Sequence, residues 1–152
     1  MNIVNGNLIE MALKGEIDVI VHGCNCFNTM GAGFARQIRQ AFPSAYEQDR
    51  RYTVKGDRNK LGMYSQADDD GVIIVNGYTQ YAYGLNESTR YVDYDAVRSV
   101  FKRVKEEFGN LRIGYPKIGV GLANGDWEVI KAIIDEELEG CDHTLVIYDT
   151  NK

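Results

Sequence analysis

The sequence is poor in the residues that mark several common classes of protein. Its three cysteines, Cys24, Cys26 and Cys141, form an odd set with no second pair at zinc-binding spacing, which argues against a disulfide framework and a zinc knuckle. Lysine and arginine form no dense run and the net charge is -5, so the chain lacks the electrostatic footprint of a protein that binds duplex DNA or RNA. We therefore expect a cytoplasmic protein without a metal, a cofactor or a nucleic-acid polymer as partner.

Long hydrophobic segments are missing as well. No stretch approaches the ~20 apolar residues that a membrane-spanning helix needs, and the first residues, MNIVNGNLIEMALKG, are not a basic start followed by a long apolar run. With 152 residues, of which 44% are hydrophobic, the chain can bury one core but is too short for two ordinary domains. The prediction is a single domain over 1–152, monomeric and not associated with a membrane.

Short runs of β-branched residues predict the strands. Each run is bounded by glycine, asparagine or aspartate, as in a buried strand that leads into a loop. Two runs of this kind are 17–22 and 72–76, and two further strands are predicted at 111–115 and 144–148. The segment 61–78 is predicted to form a β-hairpin in which Gly71 supplies a positive φ at the turn.

Apolar residues spaced three and four apart predict helices between these strands. Three helices follow from the pattern: 94–108, about 126–139, and one that begins after residue 33 and stops at Pro43. The first is the clearest, because Asp93 can cap its start and Gly109 can end it. Strands that alternate with amphipathic helices predict a three-layer α/β/α fold, with a central mixed, largely parallel sheet covered on both faces.

Two glycine-bearing loops are the candidates for function. The first, HGCNCFNTMGAG at 22–33, joins a predicted strand to a helix, where unpaired backbone N–H groups and the helix dipole favour an anion. Gly31 and Gly33 permit a close approach of the ligand, although such a pair is equally compatible with a plain tight turn. The second loop, PKIGVGLANGDW at 116–127, has the same position between strand and helix. Two such loops at neighbouring strand ends predict a cleft for a ligand with more than one phosphate.

The order of the motifs along the chain resembles the macro domain superfamily. The segments that carry the resemblance are GNL at 6–8, VIVHGCN at 19–25, MGAGFA at 30–35, NGYTQ at 76–80 and PKIGVGLANGDW at 116–127. The likeness is strongest to small ADP-ribose 1''-phosphate phosphatases and weaker to macro domains that remove ADP-ribose from proteins or DNA. It implies a macro domain fold and a small-molecule ligand, ADP-ribose or ADP-ribose 1''-phosphate.

The resemblance also implies which residues contact that ligand. Asn7 and Leu8 would lie at the adenine, where many relatives have Asp in place of Asn7, and Asn25 would bind the hydroxyls of the distal ribose. Tyr148 is a candidate for stacking on the adenine, or else packs in the fold. Main-chain groups would surround the diphosphate and the distal ribose at the following positions: Gly31, Ala32, Gly33, Gly119, Val120, Gly121 and Leu122.

The catalytic candidates are His22, Asp126 and Asn25. Hydrolysis of a ribose phosphate monoester needs an oriented water and a proton for the leaving oxygen, so we assign Asp126 as the base and His22 as the acid. The structural alternatives are a packed histidine at a strand end and an aspartate that stabilises the first turn of a helix. Gln80 stands where lysine-dependent relatives carry their lysine, which disfavours a Schiff-base mechanism. A phosphatase, an ADP-ribosyl hydrolase acting on acidic side chains or nucleobases, and a non-catalytic binding module all remain open.

Overall fold

The computed structural model of the protein describes residues 1–148, which form a six-stranded sheet with helices on both faces. The strands are β1 (Asn2–Gly6), β2 (Val19–Cys24), β3 (Tyr64–Asp69), β4 (Val72–Tyr78), β5 (Ile113–Tyr115) and β6 (His143–Tyr148). The helices are α1 (Leu8–Leu13), α2 (Gly33–Ala41), α3 (Pro43–Tyr52), α4 (Tyr94–Phe108) and α5 (Trp127–Glu137), with 3-10 turns at Arg58–Lys60 and Gly121–Ala123. The strand order is β1-β6-β5-β2-β4-β3, and only the β3–β4 pair is antiparallel. The predicted mixed, largely parallel sheet is confirmed.

The central strand β2 shows how the two faces are covered. Val19 and Val21 point into a core formed with α4 and α5, whereas Ile20 and Cys24 point into a second core formed with α1, α2 and α3. All four side chains are almost fully buried. A strand buried on both faces reads as a continuous apolar run, which is why the sequence revealed it.

The predicted hairpin is also confirmed, with β3 and β4 joined by the two residues Asp70 and Gly71. Their φ angles are 52° and 79°, which is the positive-φ pair that a tight hairpin turn requires. Helix α4 has the predicted bounds, because the carboxylate of Asp93 accepts a 3.0 Å hydrogen bond from the N–H of Ala96 and caps its first turn.

Three elements were not predicted. β1 is an edge strand that pairs only with β6 and is largely exposed, so it carries no apolar alternation. The short helix α1 follows it directly. Pro43 does end the preceding helix, but it also opens α3 at the first helical position, where a missing N–H costs nothing. Among residues 1–148, no helix combines the length and the apolar composition that crossing a membrane requires.

Candidate ligand-binding site

A cavity of about 660 Å³ lies at the carboxyl ends of β2, β4 and β5. Three segments supply its lining: 22–35 after β2, 79–85 after β4, and 116–123 after β5. Because the carboxyl ends of parallel strands meet at one edge of a sheet, the two predicted glycine loops face each other across this cavity.

The first loop presents a row of unpaired amides to the cavity. Among the described residues, none of the backbone N–H groups of 31–35 donates to a carbonyl or to a side chain. Helix α2 begins at Gly33, which has a φ of 59°, and its N-cap residue Ala32 offers no side-chain cap. A helix start left open in this way is suited to an anion, since the free N–H groups and the positive end of the helix dipole lie together.

The second loop adds a further set of free amides. Gly119 and Gly121 adopt positive φ angles of 79° and 65°, and the N–H of Gly125 donates to the carbonyl of Gly119 at 2.7 Å, which closes the loop on itself. Within residues 1–148, the N–H groups of 119–122 have no backbone acceptor. All four of these residues line the cavity, as the sequence predicted for the diphosphate.

Asn25 stands between the sheet and the first loop. Its Oδ1 accepts from the N–H of Phe27 at 2.8 Å, and its Nδ2 donates to the hydroxyl of Thr29 at 2.7 Å. A side-chain amide has two N–H donors and two acceptor lone pairs, so one of each remains for a ligand. Asn25 lines the cavity and can therefore shape the loop and bind a hydroxyl at the same time.

The sequence and the fold are similar to those of several known proteins. The chain is 35% identical over 141 residues to an uncharacterised 17.5 kDa protein of phage T4, covering 87% of this chain and 86% of the phage protein. It is 25% identical over 142 residues to the ADP-ribose 1''-phosphate phosphatase of Candida albicans, covering 88% of this chain and 90% of that enzyme. The macrodomain of Thermus aquaticus DarG superposes with a TM-score of 0.71 at 24% identity, with 97% of each chain covered. The chain has the macro domain fold.

Two further similarities are to a DNA ADP-ribosyl glycohydrolase and to a structure that contains ADP-ribose. The DNA ADP-ribosyl glycohydrolase of Mycobacterium tuberculosis is 24% identical over 122 residues, which cover 78% of this chain and 34% of that enzyme. A Thermosipho africanus DarTG structure in complex with ADP-ribose superposes with a TM-score of 0.68 at 12% identity, over 92% of this chain and 40% of that one. No family model matches the sequence.

The macro domain holds His22 in a position unsuited to the predicted acid. The ring is 1% exposed and its Nε2 lies 2.7 Å from Oδ1 of Asn76. The amide nitrogen of Asn76 is occupied by the carbonyl of Ala45 and the hydroxyl of Ser65, so Oδ1 is the atom that accepts from His22. Burial lowers the pKa of His22 to about 4, an effect that this hydrogen bond only partly offsets. A neutral imidazole supplies no proton at neutral pH, so these surroundings favour the structural alternative for His22, a packed histidine at a strand end, over the acid.

The state of His22 can be followed directly by NMR. The ring should stay neutral as the pH falls from 7.5 to 5.5, because its pKa in the folded protein lies well below the ordinary 6.5. The unfolded chain then binds more protons, so His22 makes the folded state less stable as the pH falls from 6.5 towards 4. A side-chain titration with its midpoint near the ordinary value would contradict this assignment.

Asp126 lies outside the cavity. Its exposed carboxylate caps α5, with Oδ1 accepting from the N–H of Glu128 at 3.0 Å, and its own N–H donates to the hydroxyl of Tyr94 at 3.0 Å. It is not among the described residues that line the cavity. The structure therefore favours a role for Asp126 as the N-cap of α5 over the predicted role as a base.

Replacing Asp126 by alanine separates these two roles. The variant should lose about 1 kcal/mol of unfolding free energy because the first turn of α5 loses its cap. Its affinity for ligand and any turnover should stay within about twofold of the parent. Asp126→Ser, which can still cap the helix, serves as the control for stability. A loss of turnover in both variants, at unchanged stability in the serine variant, would restore Asp126 to the chemistry.

The predicted adenine contacts are not part of the cavity lining. Asn7 caps α1 by accepting from the N–H of Glu10 at 3.1 Å, and Leu8 is 4% exposed in the core. Tyr148 is 62% exposed at the end of β6 and pairs in register with Gly6. These residues lie at the carboxyl ends of β1 and β6, on the same sheet edge as the cavity but beyond it.

The third wall of the cavity was missed by sequence reasoning. The segment after β4 contributes Thr79, Gln80, Tyr83 and Leu85, which lie in an irregular loop without glycine pairs or helix signals. The hydroxyl of Thr79 is buried and makes no hydrogen bond with any described residue, so it is an unused polar atom beside the cavity. The motif NGYTQ at 76–80 was the available signal.

Charge in the lining is sparse. Among the described residues around the cavity, Lys117 is the only lysine or arginine. Burial raises the pKa of Cys24 well above its ordinary value and that of Cys26 to about 11, so both remain thiols that pack rather than react. Within residues 1–148, no group of three or more His, Cys, Asp or Glu side chains is arranged to hold a metal ion.

Proposed function

We propose that this macro domain binds ADP-ribose in the cavity and hydrolyses the terminal phosphate of ADP-ribose 1''-phosphate. The observation that carries the proposal is the convergence of two rows of unpaired backbone amides, 31–35 and 119–122, on one cavity. Such amides complement a diphosphate, whose four terminal oxygens need donors on more than one side. Similarity to the phosphatase of Candida albicans over most of both chains supports the same reaction.

The cavity suggests how the ligand is oriented. The diphosphate would lie between the two glycine loops, and Asn25 would bind the distal ribose with its remaining donor and acceptor. The adenine would then extend along the sheet edge towards Asn7, Leu8 and Tyr148. We further propose that the protein acts as a monomer, on a free small molecule in the cytoplasm.

Hydrolysis transfers the phosphoryl group from the C1'' oxygen to water. A water oxygen bonds to phosphorus, the bond between phosphorus and the C1'' oxygen breaks, and the departing oxygen takes up the proton that water has lost. The products are ADP-ribose and inorganic phosphate. We propose that loop amides stabilise the negative charge of the transferring group, while the side-chain amides of Asn25 and Gln80 orient the water. Because no side chain in the lining is a poised acid or base, turnover should be slow.

A non-catalytic binding module is the second candidate. The observation in its favour concerns His22 and Cys24, two titratable side chains of the cavity lining. Burial keeps both of them neutral. Binding through main-chain amides needs no such group. The two candidates share one ligand and differ in turnover alone.

The test is phosphate release from ADP-ribose 1''-phosphate at high enzyme concentration. Asn25→Asp keeps the acceptor for Phe27 but loses both N–H donors and adds a negative charge beside the ligand, so turnover should fall at least roughly tenfold. Asn110→Asp makes the same change at an exposed turn and should leave turnover unaltered. Tight binding of ADP-ribose without phosphate release would favour the binding module. Release of ADP-ribose from a conjugate instead would favour the hydrolase, and no binding at all would overturn both.

A further inference from the structure

A lysine is buried beneath the first glycine loop. Lys60 ends the 3-10 turn Arg58–Lys60 and is 0% exposed. It is one of the largest fully buried side chains of the described residues. Burial of a charged amine is costly unless hydrogen bonds or an opposite charge compensate it. A fully buried lysine therefore indicates a specific task for its ammonium group.

The ammonium group has one close acceptor, and that acceptor belongs to the ligand-binding loop. Nζ of Lys60 donates to Oδ1 of Asn28 at 2.7 Å and lies 5.1 Å from the centroid of the Tyr78 ring. Within residues 1–148, no carboxylate lies within 4 Å of it. The buried carboxylate of Asp49 is instead held by the hydroxyl of Tyr78 at 2.7 Å, which separates it from a direct ion pair with Lys60.

Asn28 is one of two non-glycine residues of the first glycine loop with a positive φ, the other being Met30. The φ of Asn28 is 58°, a left-handed conformation that asparagine tolerates better than most residues. The next residues along the chain, Thr29 and Met30, line the cavity and lead directly to the unpaired amides of 31–35. A bond that fixes the side chain of Asn28 therefore fixes the direction in which those amides leave the turn.

The other tethers of the loop lie on either side of this turn. Upstream, the N–H of Cys26 donates to the carbonyl of Tyr81 at 2.9 Å, and the carbonyl of Cys26 accepts from the N–H of Gly56 at 2.7 Å. Downstream, the exposed guanidinium of Arg39 donates to the carbonyl of Thr29 at 3.1 Å. Across the turn itself run two side-chain bonds, one from Nδ2 of Asn25 to the hydroxyl of Thr29 and one from Nζ of Lys60 to Asn28.

We propose that Lys60 is a positioning residue for ligand binding: through Asn28 it holds the turn of the first glycine loop so that the amides of 31–35 face the cavity. The proposal deepens the proposed function and rests on it for the identity of the ligand. The ammonium group also places a positive charge behind the loop. Because Lys60 is buried, water and salt screen this charge less than they would screen the charge of a surface lysine.

The experiment compares Asn28→Gly and Lys60→Met with the parent. Glycine accepts the φ of 58° without strain and removes only the acceptor, so Asn28→Gly should fold. Hydrogen exchange of the peptide spanning 25–35, measured without ligand, should become about tenfold faster in both variants. Their dissociation constants for ADP-ribose, from calorimetry, should rise about tenfold. Lys102→Met removes the same charge from the exposed face of α4 and should change neither quantity.

Three results decide the proposal. Asn28→Asp keeps an acceptor next to the ammonium group and should restore the slow exchange of 25–35, whereas a merely structural lysine would alter the melting temperature and leave this exchange unmoved. If Asn28→Gly is folded and its exchange and affinity match those of the parent, Lys60 has no positioning role, whatever becomes of Lys60→Met. If the parent itself does not bind ADP-ribose, the proposed function fails, while exchange in the unliganded protein still decides whether Lys60 orders the loop.

Discussion

Gly121→Val should weaken ADP-ribose binding at least roughly 100-fold while leaving the fold intact. Gly121 has a φ of 65° and lines the cavity, and a Cβ added to it would meet no atom within 4 Å. The new side chain would therefore project into the space that the ligand needs, and the strained backbone would turn the amides of 119–122 away from it. Calorimetry with ADP-ribose measures the loss.

A matched glycine provides the control for backbone strain. Gly140 follows α5 with a φ of 83°, is exposed, and likewise has no atom within 4 Å of an added Cβ. Gly140→Val should carry a similar strain of about 1–3 kcal/mol and bind ADP-ribose as the parent does. Equal affinities in the two variants would show that the second glycine loop takes no part in binding.

Phe101→Ala should lower the unfolding free energy by about 3–5 kcal/mol. The side chain is 0% exposed on the inner face of α4, and its ring meets that of Tyr115 edge to face at a centroid distance of 5.7 Å. Truncation removes apolar contact area and leaves a cavity between the helix and β5. Denaturant unfolding followed by circular dichroism measures the change.

The neighbouring residue gives the comparison for this variant. Lys102→Ala removes an exposed side chain from the same helix turn and should change the unfolding free energy by less than about 0.5 kcal/mol. A loss below about 1 kcal/mol for Phe101→Ala would mean that the two layers repack around the gap.

The parts of the fold that the sequence predicted are those where one interaction dominates. The apolar run of β2 and the spaced apolar residues of α4 report burial directly, and Asp93 and Gly71 mark a cap and a turn by their chemistry. β1 was not predicted because it is exposed at the edge of the sheet and pairs with β6, which lies at the opposite end of the chain. Such long-range pairing leaves no local pattern.

The site divides in the same way. Glycines at 33, 119 and 121 were predictable because each adopts a positive φ, a backbone conformation that favours this residue type. The surroundings of His22 and Asp126 were not predictable from spacing. The His22 ring is buried and bonded to Asn76 on the neighbouring strand, and the Asp126 carboxylate accepts from the N–H of Glu128. The spacing of titratable residues along the sequence does not show where their side chains point.

The unpaired amides of the two glycine loops have a consequence for how this protein tolerates change. A peptide N–H neither titrates nor oxidises, and nearly every amino acid supplies one, so the grip on a diphosphate depends on chain path rather than on side-chain identity. An exposed position such as Leu122 should tolerate changes in size and polarity as long as the flanking glycines keep the loop's curvature. Drift at such positions offers a route by which one scaffold acquires new substrates without rebuilding its anchor.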